Sequence, residues 1–269
     1  GQWQNDIRLP IGKAMLAYEF LKQDVTSSTA YTVTSRNINS FIAGWNGDYG
    51  NNLFNGSIRN DNNSQFGNAT TGSVGYGYFL TPTVRATASW GTAFQAPTFN
   101  QLYYPGYGNP SLSPTRSQNT EAGLRYDDGT HRAGVMYYYN NVKNLIVSNP
   151  TNNYLPENIG QSVIQGVTTT YGGKVYGLDI NGSVDYQNPI NKQTNQILTY
   201  HPQAFGSLTV QKKMDWWNLG GQYQASASQQ TSDPSVGPGS SSNRTLGGYG
   251  LFNMFGSIDV YKDVSLFAR

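Results

Sequence analysis

The feature that most constrains this chain is an alternation of apolar and polar residues with a period of two. In residues 83–94 the apolar side chains fall on one face, at Val84, Ala86, Ala88 and Trp90. The residues between them are polar or small. Because successive side chains of a β-strand point to opposite faces, this period predicts strands with one apolar and one polar face.

The period recurs along the chain and predicts an all-β fold. The clearest segments after 83–94 are 71–80, 119–126, 253–261 and the one that begins at Tyr176. Looser candidates are 2–9, 13–25, 36–45, 52–59, 131–146, 163–172, 203–212, 216–225 and 264–269. Together they make about fourteen strands, most of them longer than the roughly 5–6 residues of an average strand.

The connections alternate in length as strictly as the side chains alternate in polarity. Short ones carry turn residues, at 10–12, 47–50, 81–82, 127–129, 172–173, 213–214 and 262–263. Long ones lie between them, at 26–35, 60–68, 95–117, 148–162, 187–201 and 228–246. In an up-and-down meander all short turns then lie at one end, which predicts an antiparallel transmembrane β-barrel with short periplasmic turns and long extracellular loops.

Composition agrees with a barrel that is wet inside. Only 12% of the 269 residues are charged and 37% are hydrophobic, as expected when lipid-facing and water-facing residues alternate. No run approaches the roughly 18 apolar residues of a spanning helix. The 17 basic and 15 acidic residues form no basic stripe, so nucleic acid is not an expected partner. We expect Tyr137, Tyr139, Trp216 and Tyr223, near strand ends, to form interfacial girdles.

Three stretches resemble a known family. They are Arg59–Gly67, then Ala88-Ser89-Trp90-Gly91-Thr92-Ala93-Phe94-Gln95-Ala96-Pro97, then Gly108-Asn109-Pro110-Ser111-Leu112-Ser113-Pro114. The last two are similar to the barrel motif of TonB-dependent outer-membrane receptors, and the resemblance covers nearly the whole chain. The opening Gln2-Trp3-Gln4-Asn5 and the stretch 61–67 are similar to the cobalamin-receptor branch.

The resemblance has departures that bear on the ligand. Thr115 and Thr168 stand where the family pattern has glutamates. Tyr200 and His201 stand where the branch commonly has an arginine pair, one of which serves the ligand. Cobalamin or another corrinoid, haem and a ferric siderophore therefore all remain candidate ligands.

The resemblance also implies what surrounds the chain. Such receptors close with about 22 strands around an N-terminal plug, so we expect residues 1–269 to be a barrel portion, with the plug and the last strand outside it. The expected partners are the receptor's own plug, a TonB complex reached through the missing N-terminal segment, the ligand and outer-membrane lipid. No cofactor is expected in this chain, because the branch's calcium sites would lie upstream. Fourteen strands closing a smaller barrel is the alternative.

The candidate ligand site lies in residues 95–117, at the predicted extracellular mouth. It combines aromatic faces with amide groups, which suit a large and mostly planar ligand. The predicted contacts are Phe99, Gln101, Tyr103, Tyr104, Tyr107 and Asn109, with Tyr154 and Tyr200 as lesser candidates. The alternative is that these residues only fold the loop onto the barrel rim. Residues 228–246 are rich in Ser, Gly and Pro, which suggests a mobile lid.

Catalytic and metal-binding patterns are missing from the sequence, so no enzyme is predicted. His131 and His201 have no second histidine at ligand spacing. Asp127-Asp128-Gly129 is typical of a hairpin turn and lacks the remaining ligands of a calcium loop. Three functions stay open: an active outer-membrane transporter, a passive pore or surface-binding barrel without a plug, and a soluble β protein that binds carbohydrate.

Overall fold

Antiparallel strands dominate the structure, a computed structural model that describes residues 1–149, 152–232 and 243–269. In chain order the elements are β1 Gln2–Leu9, β2 Gly12–Asp24, β3 Ser35–Tyr49, β4 Asn52–Asn63, β5 Gly67–Phe79, β6 Val84–Gln95, α1 Phe99–Tyr103, β7 Thr115–Asp127, β8 His131–Asn149, β9 Leu155–Val175, β10 Leu178–Asn191, β11 Gln196–Ile197, β12 Ala204–Lys213, β13 Trp217–Ser226, β14 Gln229–Ser232, β15 Asn243–Leu246, β16 Tyr249–Tyr261 and β17 Val264–Ala268. None of the described helical segments is long and apolar enough to cross a membrane.

One large sheet contains every strand that the sequence predicts. Its strands run in the order β1 to β10, β12, β13, β16 and β17, so each neighbour in space is a neighbour in the series. β11 pairs with the end of β10, and β14 and β15 form a separate two-stranded sheet. The up-and-down meander of long strands is therefore confirmed, and the turns after β1, β3, β5, β7, β9, β12 and β16 lie at one end of the sheet. The predicted turn at 172–173 is wrong, because β9 continues to Val175 and β10 begins at Leu178.

The register keeps the two faces of the sheet separate. A single row runs through Ala88, Ala122, Tyr137, Val167 and Tyr186, which lie opposite one another on β6 to β10. The neighbouring row on the other face runs through Ser89, Glu121, Tyr138, Gly166 and Gln187. Apolar side chains thus share the outer face and polar ones share the inner face, as the period of two predicts.

The sheet does not close on itself. Within the described part of the chain, β1 pairs only with β2 and β17 pairs only with β16. A smaller barrel closed by these strands alone is therefore not what the structure shows. The open wall agrees with the expectation that the chain is part of a wider barrel.

The predicted long connection at residues 60–68 is wrong. β4 continues to Asn63 and β5 begins at Gly67, which leaves a turn of three residues. The polar residues that indicated a loop instead pair across the hairpin, where Asn60 Nδ2 donates to Thr70 Oγ1 at 2.8 Å. Asn63 Oδ1 accepts from the backbone N–H groups of Gln65 and Phe66 and closes the turn. Composition alone indicated a loop because strands that leave the membrane lose their apolar face.

β8 and β9 extend in the same way through much of the predicted loop 148–162, to Asn149 and from Leu155. At the long-loop end of the sheet, strand ends therefore do not mark the membrane surface. Tyr137 and Tyr139 face outwards but lie inside β8, so their predicted place near a strand end is wrong. Tyr223 faces outwards three residues before the end of β13. Trp216 does lie at the short-turn end, just before β13.

The connection between β6 and β7 carries its own small core. Phe99, Leu102 and Leu112 are buried there, with Leu102 only 1% exposed. We call residues 96–114 the mouth loop, because they cover the long-loop end of the wall.

Candidate functional site

The mouth loop is organised around the short helix α1. Thr98 caps it, since the Thr98 Oγ1 accepts from the Gln101 N–H at 3.2 Å, and the Gln101 side chain accepts from the Thr98 N–H at 2.9 Å. This reciprocal pair is a capping box, which satisfies two N–H groups that a helix start leaves open. The helix then turns Phe99 and Leu102 inwards. The amide of Gln101, a predicted ligand contact, is thus engaged in holding the helix.

Arg36 of β3 clamps the start of the mouth loop. Its side chain is buried, and Nη1 donates to the Pro97 carbonyl at 2.9 Å while Nε donates to Gln23 Oε1 at 2.8 Å. The guanidinium also lies 4.9 Å from the centre of the Phe99 ring, a cation–π contact. A buried charge with neutral acceptors is stable only where its donors are satisfied. Arg36 therefore fixes the loop to the wall.

Aromatic contacts tie the middle of the loop to its neighbours. The Tyr31 hydroxyl donates to Asn100 Oδ1 at 2.6 Å, and its ring meets Tyr104 edge to face at 6.1 Å. The Tyr103 hydroxyl accepts a hydrogen bond from Gln65 Nε2 in the β4–β5 turn. These bonds join three connections of the long-loop end into one packed unit.

Asn109 and Asn158 dock the far side of the loop on β9. Asn109 Nδ2 donates to the Pro156 carbonyl at 2.9 Å, and its Oδ1 accepts from Ser111. Asn158 Oδ1 accepts from the Ser113 N–H at 2.8 Å, and Asn158 Nδ2 donates to the Ser113 carbonyl. The asparagines therefore use their amides to shape and attach the loop.

The remaining predicted residues present more of their side chains to solvent. Tyr104 is 42% exposed, Tyr154 39% and Tyr200 59%. Tyr107 is partly buried, and its hydroxyl lies 3.2 Å from Ser148 Oγ at the end of β8. Tyr154 is at the tip of the β8–β9 hairpin, where its N–H donates to the Asn149 carbonyl at 2.8 Å.

The structure brings most of the predicted set together. Phe99, Gln101, Tyr103, Tyr104, Tyr107 and Asn109 share the mouth loop, and Tyr107 connects it to the hairpin of Tyr154. Tyr200 lies elsewhere on the rim, where its N–H donates to the carbonyl of Gln230 on β14. Residues 233–242 of the predicted lid at 228–246 lie outside the described residues. Binding of a ligand by the eight residues stays a prediction.

Sequence reasoning missed Arg36, Gln65 and Tyr31, which hold the loop in place. Each lies on a different strand or connection, between 38 and 69 residues away in sequence from its partner in the loop. Arg36 is a lone arginine in an alternating segment and Gln65 lies in the predicted connection 60–68, and neither pattern carries a signal of such a contact. Tyr31 lies in the predicted loop 26–35. The sequence pattern therefore predicts that it lies at the mouth, but not that it contacts the mouth loop.

The inner face of the wall carries two polar networks. Arg59 donates to Glu19 Oε2, Asp61 Oδ1 and Ser40 Oγ, each at 2.7 Å. Ser40 is 1% exposed and in turn donates to Asp61 at 2.5 Å. Two carboxylates, an arginine and a hydroxyl thus form one hydrogen-bonded network across β2, β3 and β4.

The second network lies across β8, β9 and β10. Asp185 is buried and accepts from the Tyr138 hydroxyl at 2.9 Å and from Thr168 Oγ1 at 2.5 Å. Asp185 lies directly opposite Thr168 in the register. Thr168, which replaces the glutamate of the family pattern, therefore still has a carboxylate beside it, supplied by the next strand.

The Asp127-Asp128-Gly129 turn is confirmed as a hairpin. Asp128 Oδ1 accepts from the N–H groups of His131 at 2.6 Å and Thr130 at 2.9 Å, and Gly129 has a φ of +87°. The bond from the His131 N–H, with those from Tyr126 and Thr130, lowers the pKa of Asp128 from 3.8 to about 2. Among the described residues, no group of three or more His, Cys, Asp or Glu is placed to hold a metal ion.

Comparison with known proteins gives a family and a fold. A family model described as TonB dependent receptor-like, beta-barrel, matches residues 2–269. The chain is 32% identical over 175 residues to a vitamin B12 transporter BtuB of Photobacterium profundum, which covers 62% of the chain and 28% of that protein. A second vitamin B12 transporter BtuB, of Vibrio vulnificus, is 32% identical over 145 residues, or 53% of the chain and 24% of that protein.

Among solved structures, a ferric enterobactin receptor of Pseudomonas aeruginosa matches with a TM-score of 0.79 at 20% identity. The match covers 99% of this chain and 46% of that receptor. At this identity the similarity shows the fold alone. The chain spans less than half of each of these three proteins.

Proposed function

This chain belongs to the TonB-dependent receptor-like β-barrel family, and from that premise we propose that it is part of the wall of an outer-membrane active transporter. The transporter binds a large, scarce nutrient at its extracellular mouth and imports it with energy from a TonB complex. A corrinoid such as cobalamin is the proposed ligand, and haem or a ferric siderophore is the alternative. The observation that carries the proposal is the family match over residues 2–269, on a wall with a wet inner face.

Two kinds of observation support the choice of ligand, namely the similarity to relatives and the shape of the mouth loop. Two relatives at 32% identity are vitamin B12 transporters. The mouth loop also presents the exposed ring of Tyr104, and Tyr107 of the same loop contacts Ser148 of the hairpin that carries Tyr154. Tyrosine rings offer a broad contact area at low entropy cost, which suits a large and mostly planar ligand.

We propose two different roles for the eight predicted residues. Tyr104, Tyr107, Tyr154 and Tyr200 are the proposed ligand contacts, because their side chains lie at the rim with exposed or partly exposed rings. Phe99, Gln101, Tyr103 and Asn109 position the loop, since the Phe99 ring is buried and the polar groups of the other three already have protein partners. Ligand affinity depends on both groups, but selectivity depends on the first.

The rest of the receptor is proposed from the family. The inner face carries charged networks such as Arg59 with Glu19 and Asp61. Polar and charged side chains of this kind suit contact with a plug inside the lumen. The plug and the TonB-binding segment would lie in the part of the receptor outside this chain. No chemical step is assigned to the chain.

The test uses the complete receptor that contains this chain. Purified receptor is titrated with cyanocobalamin, haem and a ferric siderophore, and uptake is measured in cells with and without an energised inner membrane. Energy-dependent uptake of cyanocobalamin supports the proposal. Uptake that does not depend on energy indicates a passive pore. Tight binding of haem or the ferric siderophore, without binding of cyanocobalamin, would replace cobalamin as the proposed ligand.

Substitutions test the site separately. Tyr104→Ala with Tyr154→Ala is expected to weaken cobalamin binding by about 10- to 100-fold, since removing an aromatic contact typically costs about 1 kcal/mol or more. Tyr176→Ala is the matched control, because Tyr176 is 98% exposed in a turn at the opposite end of the wall. Equal affinity in the double variant and the wild type would remove these two tyrosines from the site.

A further inference from the structure

The outer face of the wall carries a row of cations at its extracellular end. Arg116 of β7 lies directly opposite Lys143 of β8, and Lys143 lies opposite Gln161 of β9. The Lys192 N–H donates to the Gln161 carbonyl at 2.9 Å, which places Lys192 next in the same row, just after β10. Arg116, Lys143 and Lys192 are exposed. We call the four positions Arg116, Lys143, Gln161 and Lys192 the cation row, after its three cations.

The cation row belongs to the lipid-facing side. Residues alternate along each strand, so Arg116 shares its face with Ala122 and Leu124, and Lys143 shares its face with Tyr137 and Val135. Those four residues lie on the apolar outer face. The cations are therefore outside the barrel and not in the lumen.

On β7 and β8 the polarity of the outward side chains rises in steps from the apolar band to the cation row. The row through Ala122, Tyr137, Val167 and Tyr186 is apolar or aromatic. Above it, β7 presents Thr120 and then Gln118, and β8 presents Tyr139 and then Asn141. On β9 and β10 the corresponding positions alternate, with Gln165 and Asn188 followed by Val163 and Ile190. The gradient on β7 and β8, from apolar to amide to charged side chains, is the order of a membrane surface.

The height of the row matches the level of lipid headgroups. Arg116 lies about eleven residues along β7 from Asp127 at the short-turn end. At about 3.3 Å per residue and a strand tilt of about 40°, this is roughly 28 Å above that end. The apolar band of an outer-membrane barrel is only about 25 Å tall. Arg116 and Lys143 therefore lie just above the hydrocarbon of the outer leaflet.

The protein does not neutralise these charges. Within the described residues, Arg116, Lys143 and Lys192 form no ion pair, whereas Lys22, on the same face of β2, is paired with Asp24 at 3.3 Å. Glu157 is the acidic residue at an outward position on β6 to β10, four residues beyond Gln161 on β9, or about 13 Å farther along the strand. Arg116 and Lys143 directly opposite each other repel, so their pairing destabilises the sheet unless an anion lies between them.

Arg116 is also held flat against the wall. Its guanidinium lies 5.1 Å from the centre of the Phe94 ring, and Phe94 is opposite Arg116 in the register. Stacking of this kind restrains the guanidinium while leaving its N–H donors available to an acceptor. Arg then offers a pair of N–H groups in the geometry that phosphate oxygens accept.

From these observations we propose that the cation row is a binding site for the phosphate groups of a phosphorylated glycolipid in the outer leaflet. The phosphates lie between Arg116 and Lys143 and reach Lys192, while the acyl chains cover the apolar rows below. The bound lipid removes the repulsion between the two opposing cations and forms a fixed part of the wall beneath the mouth loop. The site rests on the outer-membrane location of the barrel and not on the identity of the transported nutrient.

The experiment uses the complete receptor in detergent micelles, titrated with lipid A that carries both phosphates. The triple variant Arg116→Gln, Lys143→Gln, Lys192→Gln is expected to bind about 100-fold more weakly, since each Lys or Arg near an anionic lipid surface contributes roughly fivefold. The matched control is Lys212→Gln, Lys213→Gln, Lys262→Gln, which removes the same charge at the short-turn end. The control is expected to bind as the wild type does.

Two further arms identify the source of the anion. Dephosphorylated lipid A is expected to bind the wild type about as weakly as intact lipid A binds the triple variant, and inorganic phosphate alone is expected neither to bind tightly nor to displace the lipid. Equal binding of both lipids, displacement by inorganic phosphate, or an equal loss in the control triple variant would overturn the proposal. Arg116→Lys with Lys143→Arg keeps both charges and should keep binding. The same β-rich circular dichroism and the same thermal transition in the triple variant and the wild type show that the barrel of the variant is folded.

Discussion

Replacing Arg36 by Met is expected to release the mouth loop from the wall without unfolding the barrel. Arg36 is 6% exposed and makes two hydrogen bonds, to the Pro97 carbonyl at 2.9 Å and to Gln23 Oε1 at 2.8 Å. It also stacks on the Phe99 ring. Met fills much of the same volume but offers no donor, so both acceptors lose their partner in a buried place.

The magnitude follows from these contacts. A hydrogen bond from a charged group contributes about 1.5–3 kcal/mol, and a cation–π contact about 0.5–2 kcal/mol. Part of this sum is offset, because Arg36 is hydrated again when the loop opens and because the methionine of the variant would make apolar contacts of its own in the closed loop. We therefore expect the free energy of opening the loop to fall by about 3 kcal/mol, which corresponds to roughly 150-fold more frequent opening.

Hydrogen exchange measures this opening residue by residue. The Leu102 N–H donates to the Thr98 carbonyl at 3.1 Å and the Asn109 N–H donates to the Gln101 carbonyl at 2.7 Å, so both amides report on the loop. In Arg36→Met they should exchange at least 100-fold faster, while amides in the middle of β12 keep their rates. Arg8→Met, at an exposed position on β1, is the control. Unchanged exchange at Leu102 and Asn109 would refute the clamp.

Three further predictions follow from other contacts. Arg59→Gln should lower barrel stability by about 1 kcal/mol, measured by denaturant unfolding, because Glu19 loses its ion pair and Asp61 keeps only Ser40 in a half-exposed network. Gly108→Ala should weaken ligand binding about tenfold in a titration, since its Cβ would lie 2.6 Å from backbone atoms of α1, a clash that costs about 1–3 kcal/mol. Asp128 has a lowered pKa, so it stabilises its turn above pH 3.8 and loses this effect as the pH falls towards about 2. Asp128→Asn should remove that pH dependence from the exchange of neighbouring amides.

The strands were predictable because lipid and water act on every second residue. The faces of β6, with Trp90 outside and Arg85 inside, are those that the period of two predicts. The pattern failed where the membrane ends. At Asn60 and Thr70 the strands run on into water, both faces become polar, and the signal that separates strand from loop disappears.

The position of the mouth loop was predictable from the sequence, but its conformation and its attachment to the wall were not. The motif around Asn109 and the aromatic residues located it at the mouth, and the capping box of Thr98 and Gln101 is a local pattern. Its attachment depends on Arg36 and Gln65, which reach it from other strands. Such contacts are set by the register of the sheet, which a single sequence does not contain.

The hydrogen bonds that hold the mouth loop also determine which of its residues are available to a ligand. A ligand that takes the place of Gln65 on the Tyr103 hydroxyl, or of the Pro156 carbonyl on the Asn109 amide, only exchanges one hydrogen bond for another, and each such exchange yields little net free energy. The exposed ring of Tyr104 needs no bond to be broken before its face is covered. Substitutions at Tyr103 and Asn109 should therefore lower the affinity for every ligand alike, because they loosen the loop. Substitutions at Tyr104 should instead change the ratio of affinities between a corrinoid and an iron chelate, and equal ratios in both sets of variants would contradict this division.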